Sequence, residues 1–466
     1  MTVVAVVLSV GVSPANAKTS SIDSDLTNAL HIKSVPPSPI ATAGWSFDAP
    51  FVSAALSRYR ALGANNANSF AAYGAGGSGA GRAGVVAGSD GIGFSDVPLN
   101  VAGEDTTSLT SYVQVPVALS SVAVIYHVSF NTSDTVVNSF GSATTANPTG
   151  AGKRTCAQLV AAHHIALDGA TLAQVFAGII TQWTDPTIVA QNPKLVVKVE
   201  TPVSAAKSAS SHRRATAQKD KLKSVSCLTS ALVSTPSISI YDLSSDVGPT
   251  FMFRDYLSKV DPADFPTPSA DQFTAATAEE ASASDMAAVV SAQGGSIGYV
   301  DSSYALENSL ATLRLKNAAG RVAALTSKSV TLEATAGLAV IKADGHCSNG
   351  FSLAGPSSYA AASVDSECFS LNDAGGAPGA YPIAGFSYAI TQRSPSDNAT
   401  AVAIAKFLEY LTQSSPGKSA AVSFGQNLAT SLGLVAMPKS LQAIAFAAIQ
   451  KMTLGNGTTS AVSSSL

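Results

Sequence analysis

The 466-residue chain is short of charge. Only 12% of its residues are Asp, Glu, Lys or Arg, and its net charge is −3. That excludes a broad basic field for nucleic acid or anionic lipid. It also lacks long hydrophobic runs: Val3 to Val12 is apolar but too short to span a bilayer, and no later stretch reads as a transmembrane helix. The four cysteines form no C-x-x-C pair and no close Cys/His set, although His346 adjoins Cys347, so a zinc site is not expected. No Gly-Lys-Ser/Thr is present, which excludes a nucleotide P-loop. No Ser/His/Asp order or metal-ligand cluster marks a hydrolase. The chain is therefore expected to be no enzyme, with no catalytic residues, metal or cofactor.

What is present is a globular, exported pattern. Hydrophobic residues make up 46% of the chain, and its length exceeds one ordinary core, so two domains or two lobes with insertions are expected. The early apolar run leads into Ser13-Pro14-Ala15-Asn16-Ala17, an A-x-A site that predicts cleavage after Ala17. Residues 1–17 read as a signal peptide whose missing basic n-region leaves the true start open. No Cys lies near the cleavage site to carry a lipid anchor, and residues 18–40 read as a flexible lead. An even number of cysteines in an exported chain suggests two disulfides. Of three possible pairings, Cys347–Cys368 and Cys156–Cys227 are favoured. The first closes a short loop, contributing about 3 kcal/mol in the chain-entropy model.

Strand-like and helix-like segments alternate, which predicts an α/β fold with mainly parallel pairing. Ala170 to Ala177 has an amphipathic helical pattern with Asp168 near its N-cap, and Ala401 to Leu411 repeats at helical spacing. Ile297 to Val300 reads as a strand. Asn138 to Thr155, Val203 to Ser230 and Asn372 to Gly379 read as insertions or loops. The second is basic, with Arg213 and Arg214 among its cations. The His163-His164 pair reads as a surface helix end.

Three motifs bear on ligand chemistry. Gly44-Trp45-Ser46-Phe47-Asp48-Ala49-Pro50 is a turn able to present backbone N–H groups and a hydroxyl. Tyr73-Gly74-Ala75-Gly76-Gly77-Ser78-Gly79-Ala80-Gly81-Arg82 lets the backbone approach an anion, with a helix N-terminus and the Ser78 hydroxyl behind it. It matches G-x-G-x-x-G literally, but the helix after it is too short for a dinucleotide fold. Gly91-Ile92-Gly93-Phe94-Ser95-Asp96-Val97-Pro98-Leu99 delivers Asp96 at a strand end. A carboxylate beside an anion cradle makes sense if the anion carries a proton, because a carboxylate only accepts hydrogen bonds.

Ser46-Phe47, Ser78 in its glycine-rich loop, and Phe94-Ser95-Asp96-Val97-Pro98-Leu99 together resemble the ligand-binding elements of the phosphate-binding subunits of phosphate ABC transporters. Leu167 to Pro186, with its Trp183-Thr184-Asp185-Pro186 turn, is similar to that family's second-lobe helix. Gly295 to Val300, Tyr381-Pro382-Ile383 and Leu434 to Pro438 resemble further landmarks, so the likeness runs from about Gly44 to Met452. It implies a two-lobe periplasmic-binding-protein-like fold of type II, with a ligand cleft between lobes. Lobe I is then expected from 41–121 and 304–466, and lobe II from 122–303. The resemblance implies non-covalent capture of inorganic phosphate by Ser46, Phe47, Ser78 and Asp96, with Gly248 and Thr250 from the far lobe. The implied partner is an ABC-transporter permease, and the implied state is an extracytoplasmic monomer.

The sequence departs from the family at one loop. Phosphate binders carry an Arg-Ser-Asp-Gly-Ser-Gly-Thr type loop on the second lobe, where this chain has Tyr241 to Phe251. Without gaps, Leu243 takes the Arg position and Pro249, which lacks an N–H, the Thr position; a shift of one residue restores Asp246 and Thr250 but still places no Arg. Either Arg213 or Arg214 folds back over the cleft, or Arg82 turns inward against the expected exposure of its first-turn position, or phosphate is no longer held tightly. The last case describes a secreted or wall-associated protein that keeps only the fold.

Overall fold

The computed structural model describes residues 29–45, 49–99, 111–131, 155–201, 221–244, 247–266, 273–344, 377–414, 424–432 and 434–462. The expected signal peptide, Ser46, Phe47, Arg213, Arg214, Cys347 and Cys368 lie outside them.

The strands are β1 (Ile40–Gly44), β2 (Phe70–Ala75), β3 (Ile92–Ser95), β4 (Tyr112–His127), β5 (Ala166–Asp168), β6 (Val196–Thr201), β7 (Lys221–Ser226), β8 (Ser239–Leu243), β9 (Ala278–Glu280), β10 (Ser296–Asp301), β11 (Arg314–Lys316), β12 (Val322–Ala323) and β13 (Ala384–Gln392). Eight of them form one sheet in the order β2-β1-β3-β13-β4-β10-β8-β9. β5, β11 and β12 make a smaller sheet, and β6 pairs with β7.

β4 organises this arrangement. Its sequence, rich in Val, suits a strand buried on both faces, and every residue from Val113 to Tyr126 is buried. Its first part, Tyr112 to Ser121, pairs with β13, and its second part, Val122 to His127, pairs with β10. The partner changes between Ser121 and Val122. One long strand thus belongs to two sheet halves, as the expected two-lobe α/β fold requires. Pro116, which has no N–H to give the ladder, lies where the β4–β13 register shifts between Ser387 and Tyr388.

The helices that place the site are α1 (Ala49–Arg60), α2 (Ala64–Ser69), α3 (Gly77–Ala87), α4 (Cys156–His163), α5 (Gly169–Phe176), α6 (Pro186–Gln191) and α7 (Gly248–Val260). Asp168 caps α5 as its position suggests, its carboxylate accepting the Thr171 N–H at 2.9 Å. Later helices are α8 (Ala283–Ala292), α9 (Ser302–Glu307), α10 (Ser327–Asp344) and α11 (Asn398–Thr412). Among the described residues no helix is long and apolar enough to cross a membrane.

The Cys156–Cys227 disulfide forms as favoured, tying α4 to the end of β7 across 71 residues. By contrast, the last part of the segment expected to be a flexible lead is packed. Leu30 and Ile32 are buried in the core. Asn66 fixes them by donating to the Leu30 carbonyl at 3.2 Å and accepting the Ile32 N–H at 3.1 Å. Two apolar side chains and a buried asparagine that satisfies both backbone groups outweigh the Ser/Pro content that suggested mobility.

One buried group disfavours this fold as pH rises from acid to neutral. Glu409 on α11 is 1% exposed, and neither carboxylate oxygen has a hydrogen-bond partner among the described residues. Burial pushes its pKa up to about 7, against the pull of Lys406. A carboxyl whose folded pKa lies above its unfolded value leaves stability intact below the unfolded pKa and removes it as pH rises through the folded one. Stability should therefore fall between about pH 4.5 and pH 7, and Glu409→Gln should flatten that fall in urea titrations at several pH values. Converting Cys156 and Cys227 to serine should cost about 4 kcal/mol of unfolding free energy, measured by denaturant titration.

Candidate ligand-binding site

The site grows from three close approaches. β1 ends at Gly44, whose φ of +123° and lack of a side chain let the chain pass the Phe94 carbonyl; an added Cβ would lie 2.1 Å from that oxygen. Gly81 on α3 presses on the same carbonyl, where a Cβ would meet it at 2.4 Å. These contacts draw the glycine-rich loop and the turn after β3 together. Ser78 is buried and accepts the Asp96 N–H on its Oγ at 3.1 Å. A hydroxyl that accepts one bond still has its own hydrogen to donate.

Asp96 is 3% exposed. Its Oδ1 accepts a hydrogen bond from the Ser387 hydroxyl. The Trp45 indole N–H approaches the carboxyl without closing a hydrogen bond, and Oδ2 has no hydrogen-bond partner among the described residues. Burial pushes the Asp96 pKa up to about 7; Ser387 and Trp45 hold it down by favouring the charged form. Oδ2 lies against Gly248, the first residue of α7, where an added Cβ would sit 2.2 Å from it. A carboxylate from one sheet half thus meets a helix N-terminus from the other. Val247 provides no side-chain cap there, and a helix start with a positive dipole end is favourable for an anion.

Thr250 is brought to the same helix turn, but its hydroxyl faces the interior of its own half. Thr250 Oγ1 is 2.6 Å from the Tyr299 hydroxyl, which in turn donates to Asp242 Oδ1. Asp242 Oδ2 also accepts the Phe273 N–H at 2.5 Å. Burial raises the Tyr299 pKa well above its ordinary value, and neighbouring Asp242 adds to the rise, so the phenol keeps its proton. Leu243 is buried and supplies no polar group. Pro249 stands in the first helical turn, where a missing N–H breaks no intrahelical bond.

The sequence matches the profile of a PBP superfamily domain over residues 14–415. The chain belongs to the PBP superfamily. Its likeness to solved structures agrees in fold. The high-affinity periplasmic phosphate-binding protein PfluDING, bound with phosphate, superposes with a TM-score of 0.51 at 18% identity, over 88% of this chain and 93% of that one. A human phosphate-binding apolipoprotein gives 0.51 at 16% identity over the same shares. An ancestral soluble variant of the Human Phosphate Binding Protein gives 0.50 at 15%, over 87% and 92%. No curated protein matches the sequence.

In this PBP-superfamily chain, Ser78, Asp96 and Gly248 come together, while Ser46 and Phe47 lie outside the described residues. Arg82, expected to be exposed, turns inward: it is 6% exposed and reaches Ser95 Oγ at 3.5 Å. Arg82 lies one turn after the buried Ser78, on the face of α3 that also buries Gly81 and Val85 against β3. Ser387 was not legible as a site residue. It lies 291 positions from Asp96 in an apolar strand. Trp45 stood inside a motif that drew attention to Ser46 and Phe47 instead.

The contact between Gly248 and Asp96 is testable by packing alone. Gly248→Ala should lower stability by about 1–3 kcal/mol, because the new methyl overlaps the carboxyl group. The same change in an Asp96→Gly background should cost clearly less, measured by thermal unfolding of the four proteins in a double-mutant cycle.

Proposed function

We propose that this protein is an extracytoplasmic solute-binding protein that captures inorganic phosphate, or a related protonated oxyanion, for an ABC transporter. The observation that carries this reading is the buried Asp96 carboxyl, with one oxygen lacking a donor and facing the start of α7. Such an oxygen calls for a proton-bearing ligand. Hydrogen phosphate has an O–H to offer, whereas sulfate at neutral pH has none. Ser78 would donate from the glycine-rich loop, Ser46 and Phe47 from the preceding turn, and Gly248 from the far lobe. Thr250 would support α7 through Tyr299 more than touch the ligand through its hydroxyl.

In this proposal lobe I takes 41–121 and 304–466, and lobe II takes 122–303, with a hinge between them. The change of β4 partner after Ser121 supports that division. The partner would be a membrane permease, the binding protein a monomer, and binding non-covalent. Phosphate-binding activity of the structural relatives supports the choice of ligand.

A second reading has its own support. Leu243 is buried, and Pro249 supplies no N–H, so the far lobe gives fewer donors than phosphate binders use. On this reading the fold persists in a secreted or wall-associated protein without tight phosphate binding. Calorimetric titration separates the two. The proposed function expects phosphate heat, little sulfate heat, and weakening by Asp96→Asn of about ten-fold or more. Absence of heat with both anions would favour the second reading.

A further inference from the structure

We propose that Ser387 is a positioning residue: it holds Asp96 so that Oδ2 alone is presented to the ligand as a proton acceptor. The inference rests on the proposed capture of a protonated oxyanion and assigns it a residue from the far end of the chain.

The backbone explains why Ser387 reaches Asp96. In the β13–β3 ladder Tyr388 lies opposite Ser95 and Ala389 opposite Phe94. One step further along this antiparallel run, Ser387 comes beside Asp96. On the other side of β13, Ser387 pairs with Ala118 and Tyr388 with Pro116, so β4 carries Val117 as an extra residue. A bulge of this kind bends the strands and re-aims a side chain. Pro116 favours it at this point because it cannot give the ladder an N–H.

The chemistry follows from counting bonds. Ser387 is 0% exposed, and its hydroxyl donates to Oδ1. A carboxylate rotates as a unit, so a donor fixed on one oxygen fixes the direction of the other. Ser78 reinforces this by accepting the Asp96 N–H, which anchors the backbone of the same residue. Oδ2 then faces Gly248 with no hydrogen bond from the described residues. A ligand with an O–H completes the set, and one without it leaves that buried oxygen unsatisfied. The titratable groups around the carboxyl are Tyr388, next along β13 with Asp255 of α7 acting on it, and Arg82 of α3, which reaches the neighbouring Ser95.

The experiment reads the carboxyl and the ligand separately. In ligand-free protein with 13C-labelled aspartate, the Asp96 carboxyl signal is followed across pH in the wild type and Ser387→Ala, with Asp96→Asn providing the assignment. Ser387→Ala should raise the titration midpoint by about one unit, since a donor favouring the charged form is gone. Ser387→Thr, which keeps the hydroxyl, should stay near the wild-type midpoint. In calorimetry, Ser387→Ala should weaken phosphate binding about ten-fold and narrow the phosphate-to-sulfate preference, with Ser387→Thr again near wild type. An unchanged midpoint in folded Ser387→Ala overturns the assignment of Ser387. A shifted midpoint with phosphate affinity and selectivity unchanged overturns its role in ligand choice. A wild type that binds no phosphate overturns the ligand reading itself, whatever the midpoint does.

Discussion

A carboxyl group removed from water must find donors, a proton or a partner, and the site is arranged around how Asp96 meets that demand. Ser387 satisfies one oxygen, Trp45 approaches, and burial raises the pKa to about 7. The second oxygen is left against the first residue of α7. Desolvation strengthens whatever bond that oxygen finally makes, because a bond in a low-dielectric setting lacks competition from water. Several local features serve this single contact. Gly44 and Gly81 bring β1 and α3 down on the Phe94 carbonyl, and Gly248 leaves room for the carboxyl itself.

The far side of the contact is held by a different kind of network. Thr250, Tyr299 and Asp242 form a buried hydrogen-bonded chain, packed among Phe176, Phe253 and Phe273. It joins the start of α7 to β8 and β10, so the helix N-terminus is set by the sheet beneath it. This changes the meaning of the altered second-lobe loop. Leu243 offers no side-chain donor and Pro249 no N–H, while the start of α7 faces Asp96.

The global fold and the local site share one element. β4 is long enough to pair with β13 along its first part and β10 along its second, and the register shift beside Pro116 occurs within it. That shift lies at Ser387, so the strand that joins the two sheet halves also shapes the contact between them.

Much of this was readable from local sequence. The α/β alternation, the Asp168 cap, the glycine-rich loop and the Asp96 turn depend on residues close in the chain, whose chemistry acts over a few positions. The Cys156–Cys227 bridge was legible as the favoured pair in an even set. Other features depended on packing between distant segments. Leu30 and Ile32 became core only because Asn66 and Tyr59 meet their backbone. Arg82 turned inward because α3 lies tightly on β3. The opening scarcity of charge thus has a sharper sense: few charges are present, and Asp96 and Glu409 are placed where water is excluded. Sequence alone determined which residue types were available at the glycine-rich loop and the Asp96 turn, because those motifs are local. Only the tertiary structure decided that Ser387, Asp96 and Gly248 would meet, because strand register and helix placement join residues hundreds of positions apart.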